Sequence, residues 1–134
     1  MVLEGGCYCG AVRFKADGKP RLKAQCHCRQ CQHISGGAPQ YFMLMPTEGF
    51  TYTDGTPKTF KKPGLENPVT REFCGDCGTH LITRRPGLDG IILKAGTLDD
   101  PAIFKAPHMA IFTEDLQPFH HIPEGIPSFE KLPG

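Results

Sequence analysis

The chain has 134 residues, of which 22% are charged, and its formal net charge is +1. That balance excludes the basic footprint of a nucleic-acid binder and an acidic interaction tail, and the length suits one domain spanning residues 1–134 with a modest core. The longest apolar run, Tyr41 to Met45, is too short to cross a bilayer, and Met1 to Gly6 lacks the basic start and apolar stretch of a signal peptide, so the expected setting is the cytoplasm with no membrane partner.

Sixteen glycines and thirteen prolines punctuate the sequence throughout, which favours short strands and turns over long helices. Gly5 to Gly10 reads as a tight turn with glycines on both flanks. Val12, Phe14 and Ala16 alternate with Arg13 and Lys15, the pattern of a half-buried strand. Leu22 and Ala24 alternate into the stretch Cys26-His27-Cys28-Arg29-Gln30-Cys31. Gln32 to Ser35 predicts a helical turn stopped by Gly36-Gly37, and Gln40 to Met45 a buried strand ended by Pro46. Phe50 to Thr53 and Lys58 to Lys61 flank the turn signal Asp54-Gly55 and predict a hairpin. Pro63 to Pro68 is a loop. Val69 to Phe73, Thr79 to Arg84 and Ile91 to Ala95 predict three more strands. From Asp99 onward, proline-rich sequence predicts irregular coil wrapping the sheet, with one short final strand. The expected class is mostly β, with strands running to and from metal knuckles.

Seven cysteines cannot all pair as disulfides, and they fall into three tight groups: Cys7/Cys9, Cys26/Cys28/Cys31 and Cys74/Cys77. Thiolates at such spacing suit zinc, which takes four ligands tetrahedrally. Cys7 and Cys9 with Cys74 and Cys77 complete a closed, structural four-sulfur site. By subtraction, Cys26, Cys28 and Cys31 share a second ion with one position left over, the pattern of a reactive zinc. The competing reading makes this a second closed site with His27, His33 or His80 as fourth ligand. His27 lies between two ligands, so its side chain is expected to turn away and form hydrogen bonds or lie at the surface. An all-sulfur ligand set acidifies water weakly but keeps a bound thiol deprotonated, which turns the open position toward a small thiol.

Other residues carry two readings each. Arg29 and Gln30 either offer donors to a substrate carboxylate or form a solvated turn. Ser35-Gly36-Gly37 either presents amides to an anion or simply turns the chain. Arg71 either meets substrate or occupies a surface strand position, the latter being favoured. Lys61-Lys62 and Arg84-Arg85 read as solvated and His120-His121 as an exposed loop pair, while Phe42, Phe60, Phe73, Ile91 and Leu93 read as core.

The blocks Gly5-Gly6-Cys7-x-Cys9-Gly10-x-Val12-Arg13-Phe14, Cys26-His27-Cys28-x-x-Cys31, Arg71-x-Phe73-Cys74-x-x-Cys77-Gly78-Thr79-x-Leu81 and Gly96-Thr97-Leu98-Asp99-Asp100-Pro101 resemble the glutathione-dependent formaldehyde-activating enzyme family, which includes centromere protein V. The resemblance implies a β-tent fold of twisted antiparallel sheets and two zinc ions per chain. It implies a structural zinc on Cys7, Cys9, Cys74 and Cys77, and a catalytic zinc on Cys26, Cys28 and Cys31. It also implies a carbon–sulfur lyase that forms S-hydroxymethylglutathione from formaldehyde and glutathione. A non-catalytic zinc-stabilised binding module and a thiol or zinc sensor are the alternatives.

Overall fold

A computed structural model describes residues 1–133. Its strands are β1 (Val2–Gly6), β2 (Arg13–Asp17), β3 (Leu22–Cys26), β4 (Gln40–Met45), β5 (Phe50–Asp54), β6 (Lys58–Phe60), β7 (Thr70–Phe73), β8 (His80–Arg84), β9 (Ile91–Lys94) and β10 (Met109–Ile111), with one short helix, α1 (Arg29–Ser35). They build a three-stranded sheet in the order β1-β2-β5 and a seven-stranded sheet in the order β10-β3-β4-β9-β8-β7-β6. The expected class holds: the protein is mostly β. All neighbouring strands run antiparallel except β10, which lies parallel to β3.

The main core fills the space between the sheets. Leu3, Phe14 and Ala16 from the small sheet, with Val12 just before β2, meet Met43, Met45, Leu81, Ile82, Ile91 and Leu93 from the large one. Strand periodicity explains the choice: Ile91 and Leu93 point to this core, which leaves Ile92 and Lys94 on the opposite face. A polar tie also joins the sheets. Glu72 on β7, almost buried, accepts the Tyr52 hydroxyl from β5 at 2.8 Å and the Arg84 Nε from β8 at 2.6 Å. Arg13 grips Asp99 through two hydrogen bonds of 2.9 and 2.5 Å, so the first and last sequence blocks meet in space.

Several expectations need correction. The predicted hairpin around Asp54-Gly55 does not form: β5 pairs with β2 and β6 with β7, so the two strands belong to different sheets. The turn packs instead on the loop before β2, where a Cβ at Gly55 would lie 2.2 Å from the Ala11 carbonyl oxygen, and Pro57 has no amide with which to extend a ladder. The chain start forms β1, which no alternation in Val2–Gly6 announced. The helix begins at Arg29, three residues earlier than Gln32, because the Cys28 sulfur caps it by accepting the Cys31 amide. Phe60 is not core: it sits on the edge strand β6 and is 51% exposed. Phe73 is only half-buried, stacked on His80 at a ring separation of 5.3 Å.

Candidate metal centres and the adjoining cleft

Two turns bring the four-cysteine group together. Cys7 and Cys9 lie on the turn after β1, and Cys74 and Cys77 on the turn between β7 and β8. The sulfurs of Cys7, Cys9, Cys74 and Cys77 all lie within 4.8 Å of one another. Cys9 Sγ is 3.6 Å from Cys7 Sγ and 3.8 Å from Cys74 Sγ. A zinc–sulfur bond of about 2.3 Å at the tetrahedral angle places sulfurs about 3.8 Å apart, so the donor set fits the ion. Backbone amides support it: Val12 N donates to Cys7 Sγ at 3.2 Å and Asp76 N to Cys74 Sγ at 3.4 Å. Amides aimed at sulfur stabilise thiolates, the form a metal requires. Gly78 makes this turn possible with φ of 81°, its amide closing on the Cys74 carbonyl at 2.8 Å.

The three-cysteine group is built by the end of β3 and the start of α1. Cys26 is the last residue of β3, Cys28 caps the helix, and Cys31 lies in its first turn. Their sulfurs also lie within 4.8 Å of one another, Cys28 and Cys31 at 3.0 Å. Crowding sets their proton affinities. Cys28 is pushed well down by hydrogen bonds from Cys26 and Cys31, with help from the Cys31 amide and the Arg71 charge, while its neighbour Cys26 is pushed far up. Three sulfurs competing for protons at one point are a donor set that a soft divalent ion satisfies.

These sulfurs form one wall of a cleft of about 340 Å³ on the face of the large sheet away from the main core. Phe42, Ile92, Ile111 and Phe112 supply its apolar surface. Arg71, Thr83, Arg85 and Lys94 supply its polar one, and no carboxylate lines it among the described residues. Register explains the polar row. Arg71 faces Thr83 across β7 and β8, Thr83 faces Ile92 across β8 and β9, and Lys94 lies two residues beyond Ile92 on the same face, opposite Phe42. Burial pushes the Lys94 amine down, and the neighbouring cysteines oppose that shift.

The sequence family model for "Glutathione-dependent formaldehyde-activating enzyme" matches residues 2–115, which includes both cysteine groups and the strands beneath the cleft. The chain belongs to the glutathione-dependent formaldehyde-activating enzyme family. A Halomonas elongata protein named "Putative glutathione-dependent formaldehyde-activating enzyme" is 33% identical over 86 residues, a match that covers 60% of this chain and 55% of the relative. The chain thus aligns with little more than half the length of that relative. A crystal structure of a Rhodobacter sphaeroides protein superposes with a TM-score of 0.62 at 15% identity, covering 94% of this chain and 99% of the other, and so shares the fold.

Within this family fold, the histidines take other work. The grouping of ligand atoms around Cys26, Cys28 and Cys31 includes none of His27, His33 or His80. His27, expected to turn away and form hydrogen bonds or lie at the surface, is hydrogen-bonded and fully buried, its ring nitrogens facing Gln25 and His120. The expected exposed pair His120-His121 divides: His121 is exposed, but His120 is half-buried with its Nδ1 3.0 Å from His27 Nδ1. Arg29 and Gln30 also divide. Arg29 bonds Gln32 and Asp115 away from the cleft, whereas Gln30 lines the cleft and accepts Arg71 Nη2 at 2.5 Å. Gly36 only ends α1, as an αL cap.

Lys94 and Thr83 line the cleft without being singled out in the sequence, and Arg71 lines it against the favoured of its two readings. The favoured surface position for Arg71 is wrong: the side chain is 9% exposed and stands beside the cysteines. Arg84-Arg85 are not simply solvated, since Arg84 pairs with Glu72 and Arg85 lines the cleft. For Lys94 a signal existed: a lysine directly after Ile91-Ile92-Leu93 in a strand with both faces covered has only a buried place to go. No helix of the described residues is long and apolar enough to cross a membrane.

Proposed function

We propose that the protein is a zinc-dependent carbon–sulfur lyase of the cytoplasm, making or breaking the adduct between a small thiol of the glutathione kind and a small aldehyde of the formaldehyde kind. The observation that carries this reading is the convergence of Cys26, Cys28 and Cys31 on one wall of a cleft whose described lining adds no histidine or carboxylate. In this reading Cys7, Cys9, Cys74 and Cys77 hold a structural zinc, and Cys26, Cys28 and Cys31 hold a reactive one, two per chain. When bound, the reactive zinc supplies a site at which a substrate thiol loses its proton near neutral pH.

The chain's own residues do the rest. Arg71 adds positive charge beside Cys28, which favours negative charge on sulfur at this point. Phe42, Ile92, Ile111 and Phe112 give the cleft an apolar side that strengthens electrostatic contacts there. The bond change is simple: a carbon–sulfur bond forms as the carbonyl π bond opens, and the thiol proton ends on the new hydroxyl oxygen. With no imidazole or carboxylate among the described lining, that proton passes by way of solvent. The test is NMR exchange spectroscopy of glutathione with formaldehyde, with and without zinc-loaded protein. Exchange that rises in proportion to protein supports the lyase. Thiol binding with unchanged exchange overturns it in favour of a binding module.

A further inference from the structure

The polar wall of the cleft has more unsatisfied capacity than a thiol and formaldehyde would use. Thr83 is 4% exposed, and its hydroxyl is buried without a hydrogen-bond partner. A buried hydroxyl with no partner is uncommon and costly, and here the residue lines the cleft. Lys94 is 6% exposed, and no carboxylate shares its cleft among the described residues. A buried ammonium is normally paired. Arg71 is 9% exposed, and among the described residues its guanidinium hydrogen-bonds the neutral side-chain oxygen of Gln30 and no carboxylate. The cysteine sulfurs face both cations, yet among the described residues no carboxylate pairs with either and the Thr83 hydroxyl has no partner, so the wall keeps capacity for an anion from outside the chain.

Charge points the same way. Three thiolates around a divalent ion leave one negative charge, while Arg71, Arg85 and Lys94 bring three positive charges to the same cleft. A ligand carrying two negative charges, one on sulfur and one elsewhere, balances the site. The register sets where the second charge falls. Lys94 on β9 is separated from the Cys26 strand by β4 alone, two strand spacings of about 4.8 Å each, and Thr83 lies one strand further on.

The geometry points to an anion subsite formed by Lys94, Thr83 and Arg71, which binds a carboxylate of the thiol substrate and makes the cleft select anionic thiols over neutral ones. The inference rests on the proposed reading of the cleft as a thiol site and adds what the thiol must carry. Lys94 and Arg71 donate charge-assisted hydrogen bonds to the carboxylate, and the Thr83 hydroxyl completes its contacts. Bound this way, the ligand runs along the sheet face from the cysteines toward β8.

Equilibrium binding tests this without reference to turnover. Zinc-loaded protein is titrated calorimetrically with 3-mercaptopropionate and with 3-mercapto-1-propanol, which differ in the carboxylate, and with sulfur-free propionate. The expected result is that 3-mercaptopropionate binds at least tenfold more tightly than the alcohol, as loss of a buried charged contact requires. Lys94→Met and Thr83→Val, both of similar volume to the originals, should each erase most of that preference while the affinity for the neutral thiol changes less than threefold. Equal affinity of the two thiols for the wild-type protein overturns the anion subsite and leaves the thiol reading standing. Binding of neither thiol overturns the thiol reading itself, and the subsite with it. Because the wild-type comparison needs no variant, a substitution that fails to fold does not rescue the proposal. A preference that survives both substitutions in well-folded, zinc-loaded protein also overturns it.

Discussion

A single cysteine has different worth in the two cysteine groups. Cys74 is 1% exposed and belongs to the main core beside Leu81 and Ile82, so its site is part of what holds the sheets together. Cys28 is half-buried, lines the cleft and packs against a small satellite cluster. Because metal binding at a structural site is folding free energy, Cys74→Ser is expected to leave little soluble folded protein. Cys28→Ser should lower the zinc content by about one ion while the far-ultraviolet circular dichroism spectrum stays close to wild type. Metal analysis and the spectrum together check the pair, and two variants that behave alike would refute the division into structural and reactive sites. Residue spacing by itself makes the two groups legible. Cysteines two or three apart on a turn converge wherever the turn goes, and the pairing of the first group with the last follows from ligand count. Arg71 and Thr83 are not legible in the same way, and the apolar run before Lys94 signals burial without saying what the lysine faces. Which face a strand side chain occupies depends on neighbours that the sequence does not order, and it is the pairing of β9 with β4, far apart in the chain, that brings β8 and β7 to the same face.

At the level of elements, two polar ties do work that apolar burial leaves undone. Glu72 connects the small sheet, through Tyr52, to Arg84 on the large one. The carboxylate is nearly buried, whereas the Arg84 side chain is 39% exposed, so solvent screens part of the ion pair. Glu72→Gln keeps an acceptor for Tyr52 and loses the charge; a loss of about 1–2 kcal/mol in urea unfolding is expected. The second tie is the histidine pair. Gln25 Nε2 donates to the His121 carbonyl at 2.9 Å and so also presents a hydrogen to His27 Nε2 at 2.9 Å. That leaves the proton of His27 on Nδ1, facing His120 Nδ1 at 3.0 Å, and His120 Nε2 then donates to the Gly37 carbonyl at 2.7 Å. The chain of donors is consistent only in this direction. It fastens the segment around Gln117 to His121 against the turn that carries Cys26 and Cys28. His120→Ala is expected to speed hydrogen exchange across residues 113–121 by tenfold or more and to hasten zinc loss from the three-cysteine group, with β1 and β2 unaffected. Unchanged exchange in that segment would show that the tie holds nothing. Sequence alone reads His120-His121 as an exposed pair because the partner lies 93 residues away. The hairpin expected at Asp54-Gly55 fails for a related reason: a strong local turn signal is overruled by pairings with β2 and β7.

For the molecule as a whole, the two cysteine groups differ in what they close. The four-cysteine group joins sulfurs 65 residues apart, linking the turn after β1 to the turn between β7 and β8. Opening it releases a long loop and detaches the small sheet from one edge of the core, since Cys7 packs in the same cluster as Val12 and Phe14. The three-cysteine group closes a segment of six residues whose backbone is already fixed by β3, by the Cys28 cap and by the amide of His27 on the Ile111 carbonyl at 3.0 Å. Its loss therefore frees little chain. A chelator titration should accordingly show two steps. The first ion should leave from the cleft with circular dichroism unchanged, and the second should leave together with the cooperative loss of strand signal. The difference follows from linkage: an ion that binds only the folded four-cysteine arrangement stabilises it by RT ln(1 + [L]/Kd), about 4 kcal/mol at a thousandfold excess over Kd, a large share of the stability of a domain this size. Prior occupancy of the cleft by 3-mercaptopropionate should delay the first step and leave the second where it was, because a thiol on the reactive ion opposes its removal without touching the distant site. Simultaneous release of both ions with unfolding would mean that the cleft, too, is held open by its metal.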